Sequence, residues 1–383
     1  MGVSPASTKS ILTWKQVIGE ENMSNIVPCA KDLYRWIGEH TTDGVTTMDG
    51  TKEGVRIYIY EVHDGKMIYN LTEHSMWNRK YYPFLLCGCL NGNGVVNPDH
   101  VCTFLTDKEI AMYFAKSLVK FQEAKTEDRT YNEKRHRDYC DKHLKGITHF
   151  GFDPYELLRS NCRFDVFHLR AQMTRKLLDH LRKFIRKYSS AIQCRFSQML
   201  LPIWGEFKVN HWNCNKPFAK FKGPELLDFI VNTSIVTDFI TKEFGADKEA
   251  VDIVEYLTLW ASLTKFMVIT DVGDKVGDKS VYCIKVKLFT QNVKKFYKVG
   301  ARTFLSKNYV GDQENLYSHV LRFYIPQFAD ITFKRHGMGV GIFTMQGFEH
   351  RNKESKFVFK NHTNQKGNVA QQTIGRLFDS FLN

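Results

Sequence analysis

A bounded hydrophobic run at residues 55–64, VRIYIYEVHD, is the strongest pattern in the chain. Its apolar residues are β-branched or aromatic, Gly54 precedes them, and Asp64 and Gly65 follow them. Such a run predicts a buried central strand. A carboxylate directly after a buried strand suits a metal ligand or a catalytic group, although the same aspartate could simply cap the following segment KMIYNL.

Further along the chain, helical and strand-like patterns alternate. Residues 107–124 predict an amphipathic helix that packs on the sheet, because their apolar positions recur at helical spacing. The mixed-charge residues 125–143 are expected to be solvated. Residues 162–169, CRFDVFHL, indicate a second strand that carries Asp165 and His168 at its end.

The remaining chain is mostly helical in pattern. Residues 170–188 predict an amphipathic helix, and residues 190–310 are mainly helical, with VYCIKVKLF (281–289) as a possible strand. Residues 319–337 predict one helix or two short ones ending at Gly337. The glycine-laced apolar turn GMGVGIF follows.

The charge of the chain narrows the choice of partners. The formal net charge is +13 and the isoelectric point is about 9.2, which favours a polyanionic partner, nucleic acid before a membrane surface. No apolar run reaches the roughly 20 residues that a membrane span needs. The first residues lack a signal-peptide core, so a nuclear or cytoplasmic location is expected.

One predicted helix is strongly basic. Residues 170–187 contain seven basic residues and one acidic residue, Asp179. Such a helix is either a phosphate-binding stripe or a solvated face, and both interpretations stay open. The candidate DNA contacts are Arg175, Lys176, Arg182, Lys183, Arg186 and Lys187, together with Arg351 and Lys353 near the end of the chain.

The nine cysteines are an odd number spread over a long chain, which argues against a disulfide framework. Cys87, Cys89, His100 and Cys102 lie within sixteen residues around a turn-forming segment. They could surround a tetrahedral Zn²⁺ ion or be buried thiols. Cys140 and His143 are possible further ligands.

Five short segments follow one another along the chain: EVHDGK at Asp64, LLCGC, FDVFHLR, SHVLRFYIPQF, and RHGMGVGIFTMQGFEHRNKESK with Glu349. Their order resembles the ribonuclease-H-like catalytic core of the V(D)J recombinase catalytic subunit and its transposase relatives. The resemblance covers roughly residues 55–375, and its weight lies in the order of the segments.

By position, Asp64 and Glu349 resemble the second and third metal-binding carboxylates of a DDE site, which implies Mg²⁺ or Mn²⁺ as cofactor. Asp165 and His168 resemble a structural segment beside that site more than a ligand. The first carboxylate is not identifiable, because only 54 residues precede the strand that ends in Asp64. The chain therefore resembles a core that lacks its front edge.

A zinc site is also implied by the resemblance. Cys87, Cys89 and His319 resemble part of it, so Zn²⁺ is a second expected cofactor. The chain departs from the family in two ways: its cysteine spacing is C-x-C rather than C-x-x-C, and Tyr324 stands where a second zinc-binding histidine would fall.

The implied fold is an α/β ribonuclease-H-like mixed sheet, incomplete at its N-terminal strands, with a large and mainly helical insertion. Residues 1–54 would form a poorly defined segment, 55–169 the core with a Cys/His-rich insertion, 170–310 the helical insertion, and 311–383 the helical part that completes the core.

The implied function is that of a transposon-derived DNA-binding protein whose Mg²⁺-dependent strand cleavage and transfer is absent or poor in isolation. A domesticated non-catalytic DNA-binding protein, a scaffold, and an unrelated α/β enzyme whose carboxylates never meet are the alternatives. A homodimer is a further expectation.

Overall fold

The structure, a computed structural model, describes residues 45–46, 52–53, 61–63, 87, 102–148, 162–214, 221, 223–245, 247–270, 276–303, 316–344 and 357. Most of these residues are helical. Four strand pieces occur among them: β1 (Val45–Thr46), β2 (Lys52–Glu53), β3 (Glu61–His63) and β4 (Cys162–Phe164). β1 and β2 pair antiparallel, whereas β3 and β4 pair in parallel.

The prediction of a ribonuclease-H-like mixed sheet is therefore wrong for the part of the chain that the structure describes. Strands there are two or three residues long and pair only two by two. The physical reason lies in the later chain, where the apolar positions repeat at helical spacing and bury against other helices rather than against a sheet. The division of the chain into four segments stays a prediction.

Helices build the body of the protein. Their bounds are α1 (Asp107–Glu127), α2 (Glu133–His143), α3 (Val166–Ile185), α4 (Ser190–Asn213), α5 (Gly223–Val231), α6 (Thr233–Phe244), α7 (Lys248–Met267), α8 (Val276–Thr303), α9 (Leu316–His319) and α10 (Ile325–His336). A π-helical segment (Val320–Tyr324) joins α9 to α10, and a 3-10 turn (Val340–Ile342) follows α10.

Helix α3 lies at the centre of the helical body and packs against α4, α5, α7 and α9. Trp260 of α7 is almost completely buried, and its indole N–H donates to the Thr174 hydroxyl of α3 over 3.0 Å.

Helices α7 and α8 pack against each other in antiparallel directions. Tyr256 stacks on Phe296, and Phe266, later in α7, stacks on Phe289, which comes earlier in α8. Stacked rings at this interface bury large apolar surfaces.

Two sequence-based strand assignments need correction. The strand at 162–169 ends at Phe164, because the Asp165 carboxylate accepts hydrogen bonds from the backbone N–H groups of Phe167 and His168 and caps α3. The possible strand at 281–289 lies inside α8. Its buried residues Tyr282, Val286, Phe289 and Val293 repeat at helical spacing.

The mixed-charge residues 125–143 are less solvated than predicted. Helix α2 begins after the Asn132 cap and buries His136, Cys140 and Asp141, although the hydropathy of its sequence is strongly polar. By contrast, the helix predicted at 107–124 is confirmed by α1, which begins at a capping box formed by Thr106 and Glu109.

The segment from Leu316 to Phe343 anchors against the ends of two other helices. Helix α10 ends at His336, and its cap Gly337 adopts the left-handed conformation, which agrees with the helix end predicted at Gly337. The Phe343 carbonyl accepts a hydrogen bond from the Val166 N–H at the start of α3 over 2.9 Å.

Among the helices that the structure describes, none combines the length and apolar character that crossing a membrane would require.

Candidate metal centre

His319 is the last residue of α9 and lies where the helix widens into the π-helical segment. Pro326 explains the widening, because it has no N–H to offer the carbonyl four residues earlier and its ring crowds that carbonyl. The Ile325 N–H instead bonds to the Val320 carbonyl, five residues back. The imidazole of His319 is thereby held in the interior, with 1% of the residue exposed.

Two cysteine thiols lie next to the His319 imidazole. Cys87 is fully buried and forms an isolated antiparallel bridge with Phe104, two residues after the buried Cys102. The His319 Nε2 atom lies 3.2 Å from the Cys87 Sγ atom and 3.9 Å from the Cys102 Sγ atom. The three ligand atoms all lie within 4.8 Å of one another, so the cluster could hold a metal ion.

Aromatic side chains enclose the cluster. The Tyr324 hydroxyl donates to the Cys87 Sγ atom over 3.3 Å, and its ring packs edge-on against His319 with centroids 5.2 Å apart. Phe104 and Phe323 contact the same pair of rings. Hydrogen bonds to a metal-binding thiolate orient it and tune its affinity, and an apolar wall limits access of water.

Only some members of each predicted set of zinc ligands meet in the described structure. The structure brings together Cys87 and His319 from one predicted set and Cys102 from the other, whereas Cys89 and His100 lie outside the described residues. Cys140 lies in a different cluster, and the His143 ring packs on Tyr139.

A polar cluster that sequence reasoning missed joins α1 to α2. The Ser117 hydroxyl lies 2.9 Å from the His136 Nε2 atom and 3.3 Å from the Cys140 Sγ atom, and the Tyr131 hydroxyl lies 3.2 Å from the His136 Nδ1 atom. Burial raises the pKa of the Cys140 thiol to about 11. The spacing of four residues between His136 and Cys140 was the only signal, and the surrounding charges obscured it.

The two carboxylates assigned to a cation site, Asp64 and Glu349, both lie outside the described residues. The side chain of Asp165 is buried and accepts from two backbone N–H groups, and it also forms a short contact with the His168 Nδ1 atom. These contacts make Asp165 the cap of α3 and the partner of His168.

The predicted DNA contacts between 175 and 187, on α3 and directly after it, have partners within the helical body. The Arg175 guanidinium donates to the Phe221 carbonyl over 2.9 Å, and that of Arg186 donates to the Asn213 carbonyl over 3.1 Å. Three further residues form ion pairs: Arg182 with Asp179 at 2.9 Å, Lys183 with Asp179 at 2.9 Å, and Lys187 with Glu249 at 2.5 Å.

The remaining predicted DNA contacts are less defined. Lys176 has a partner within the chain. Arg351 and Lys353 lie outside the described residues.

Comparison with known proteins adds no assignment. No family model matches the chain, and no curated protein matches it. The Cys87–Cys102–His319 cluster is therefore the principal guide to function.

Proposed function

We propose that this protein binds DNA and that a Zn²⁺ ion at the Cys87–Cys102–His319 cluster stabilises its fold. The single observation that carries the zinc part of the proposal is the convergence of two thiols and one imidazole in the interior. Zinc with bond lengths of about 2.0–2.3 Å separates tetrahedral ligand atoms by roughly 3.5 Å. The Sγ–Nε2 distances of 3.2 and 3.9 Å bracket that value.

The chemistry of the ligands favours zinc over other ions. Thiolate and imidazole ligands select zinc, whereas Mg²⁺ requires oxygen ligands. Two thiolates also balance the charge of a divalent ion, so the buried site would be neutral. Cys89, two residues after Cys87 in the sequence, or a water molecule would complete a tetrahedron.

A structural role follows from the sequence separation of the ligands. Cys87 and His319 are 232 residues apart. A metal ion between them would link the early chain to the helix that carries His319, and its binding free energy would contribute to folding.

Metal content and spectroscopy test the zinc proposal. We expect about one zinc ion per chain after purification under reducing conditions, and thiolate-to-metal charge-transfer bands after replacement with Co²⁺. Cys102→Ser should abolish metal binding, whereas the matched control Cys194→Ser should not, because Cys194 is exposed. A wild-type protein that folds without metal and does not take up Co²⁺ would refute the proposal.

A milder variant avoids the risk that loss of a ligand prevents folding. Tyr324→Phe keeps the ring and removes the hydrogen bond to the Cys87 Sγ atom. We expect the zinc affinity to fall roughly 10–100-fold while the helical content is kept. An unchanged affinity would show that the Tyr324 hydroxyl does not support metal binding by Cys87.

DNA binding is supported by the charge of the chain, +13 in total. Neutralisation of phosphates by lysine and arginine releases counterions, so the affinity should fall steeply with salt concentration. Glu349→Ala should leave the binding unchanged, since a carboxylate does not attract phosphate. Binding that is weak at low salt, or insensitive to salt, would contradict this function.

A second candidate function is Mg²⁺-dependent cleavage and transfer of DNA strands. One observation favours it: β3 and β4 pair in parallel, and each is followed directly in the sequence by an aspartate, Asp64 and Asp165. Ligand groups often gather where parallel strands end. Because Asp165 is engaged as a helix cap, Asp64 and Glu349 would have to supply the ligands for the cation.

Nicking assays test this second candidate. We expect duplex nicking by the wild type to be absent or weak, because one carboxylate of the three is not identifiable in the sequence. Strong Mg²⁺-dependent nicking that disappears in Asp64→Ala would overturn this expectation and make the chain an enzyme.

A further inference from the structure

A row of polar side chains runs along the exposed side of α8. Lys287, Gln291, Lys294 and Lys298 are all exposed, and their spacing of four, three and four residues places them on one helical face. The opposite face is buried in the core through Phe289 and similar residues. The row is about 16 Å long, given a rise of about 1.5 Å per residue.

The charge of this face is not compensated by acidic residues in the part of α8 that carries it. Residues 281–303 contain six basic residues and no aspartate or glutamate. Lys295 forms an ion pair with Glu255 of α7 at 2.6 Å, and it lies beside the row rather than in it. Among the residues that the structure describes, no ion pair involves the three lysines of the row.

Helix α3 differs in this respect, although its sequence is equally basic. Its Arg175 donates to a backbone carbonyl in the segment that follows α4. Arg186 and Lys187, directly after α3, contact the last residue of α4 and Glu249 of α7, respectively. Binding of phosphate by these groups would break contacts that hold the helical body together. The lysines of α8 would lose only water.

We propose that the Lys287–Gln291–Lys294–Lys298 row contacts the phosphate backbone of duplex DNA. The proposal rests on the DNA-binding function proposed above and assigns that function to a surface. Lysine and glutamine donate hydrogen bonds to phosphate oxygens, and a row of about 16 Å spans roughly five base-pair steps.

A membrane surface fits this face less well. Interfacial helices insert a broad apolar face between lipids. The apolar face of α8 is buried against α7 and α10 through Phe289 and Tyr282. Within residues 281–300, where the burial of α8 is described, the exposed large apolar residues are Val281, Ile284 and Leu288.

A charge-matched pair of triple variants tests the assignment in the full-length protein. The first variant combines Lys287→Gln, Lys294→Gln and Lys298→Gln. The control combines Lys108→Gln, Lys116→Gln and Lys134→Gln, which removes the same charge from exposed lysines of α1 and α2. Affinity for a duplex is measured by fluorescence anisotropy over a series of salt concentrations, and circular dichroism checks the fold of each variant.

For the α8 variant we expect an affinity roughly 10–100-fold lower at low salt, and a slope of log K against log salt reduced by about 2–3. The control should change the slope by less than about 1. Equal effects of the two triple variants would overturn the assignment, as would binding to anionic vesicles in preference to DNA.

Failure of the assignment and failure of DNA binding can be told apart. If the wild type binds DNA and the α8 variant binds equally well, only the assignment to α8 is wrong. If the wild type does not bind DNA at any salt concentration, the DNA-binding function is wrong and the assignment falls with it.

Discussion

Substitution of Gly339 by alanine should destabilise the helical body through one steric contact. A Cβ atom at this position would lie 2.2 Å from the Ile269 carbonyl oxygen, and contacts below 3.0 Å essentially never occur for a real Cβ atom. The same oxygen accepts a hydrogen bond from the Gly341 N–H over 2.8 Å, and the Gly339 N–H donates to the Thr270 carbonyl over 3.1 Å. Alanine would force these backbones apart.

The size of the effect follows from these contacts. The backbone of Gly339, with φ of −84° and ψ of 161°, suits any residue, so conformation alone would favour alanine slightly. Two weakened hydrogen bonds at about 1 kcal/mol each and overpacking of about 1–3 kcal/mol outweigh that gain. We expect the free energy of unfolding to fall by about 2–4 kcal/mol.

Denaturant unfolding followed by circular dichroism measures this change. Met338→Ala is the matched control in the same turn, because Met338 is 40% exposed, and we expect it to change stability by less than about 0.5 kcal/mol. Gly205→Ala, where φ is +71°, ψ is 168° and nothing lies within 4 Å of the added Cβ, isolates backbone strain and should cost about 1–3 kcal/mol. A Gly339→Ala variant as stable as the wild type would refute the close approach.

Other predictions concern the metal, a buried hydrogen bond and a buried thiol. Removal of zinc by a chelator should lower the melting temperature, since free zinc at 100 times its dissociation constant stabilises the folded state by about 2.7 kcal/mol; an unchanged melting temperature would exclude a structural metal. Thr174→Val should lower the free energy of unfolding by about 1–3 kcal/mol, because the buried Trp260 N–H loses its acceptor, whereas Thr258→Val, at an exposed site, should have little effect in the same denaturation assay. The raised pKa of Cys140, about 11, means that the unfolded chain releases the thiol proton first. The contribution of Cys140 to stability should therefore be full below about pH 9 and be lost between pH 9 and 11, so Cys140→Ala should make the fall in unfolding free energy across this range smaller than in the wild type.

Local signals in the sequence determined most of the helices. The apolar spacing in 107–124 and 170–185, the capping box at Thr106 and the stop at Gly337 each act within one or two helical turns, so they can be recognised without tertiary contacts. The 281–289 run was ambiguous because it is too short for its period to decide between strand and helix, and burial against α7 resolved it.

Only the tertiary structure decided which chemical groups meet. His319 contacts thiols more than two hundred residues away, and the widened turn before Pro326 sets its position. The structure likewise ties Arg175 of the basic helix α3 to a backbone carbonyl while it leaves Lys294 of α8 exposed. The sequence lists the charges and ligands, but their distances depend on packing between segments far apart in the chain, which no local pattern encodes.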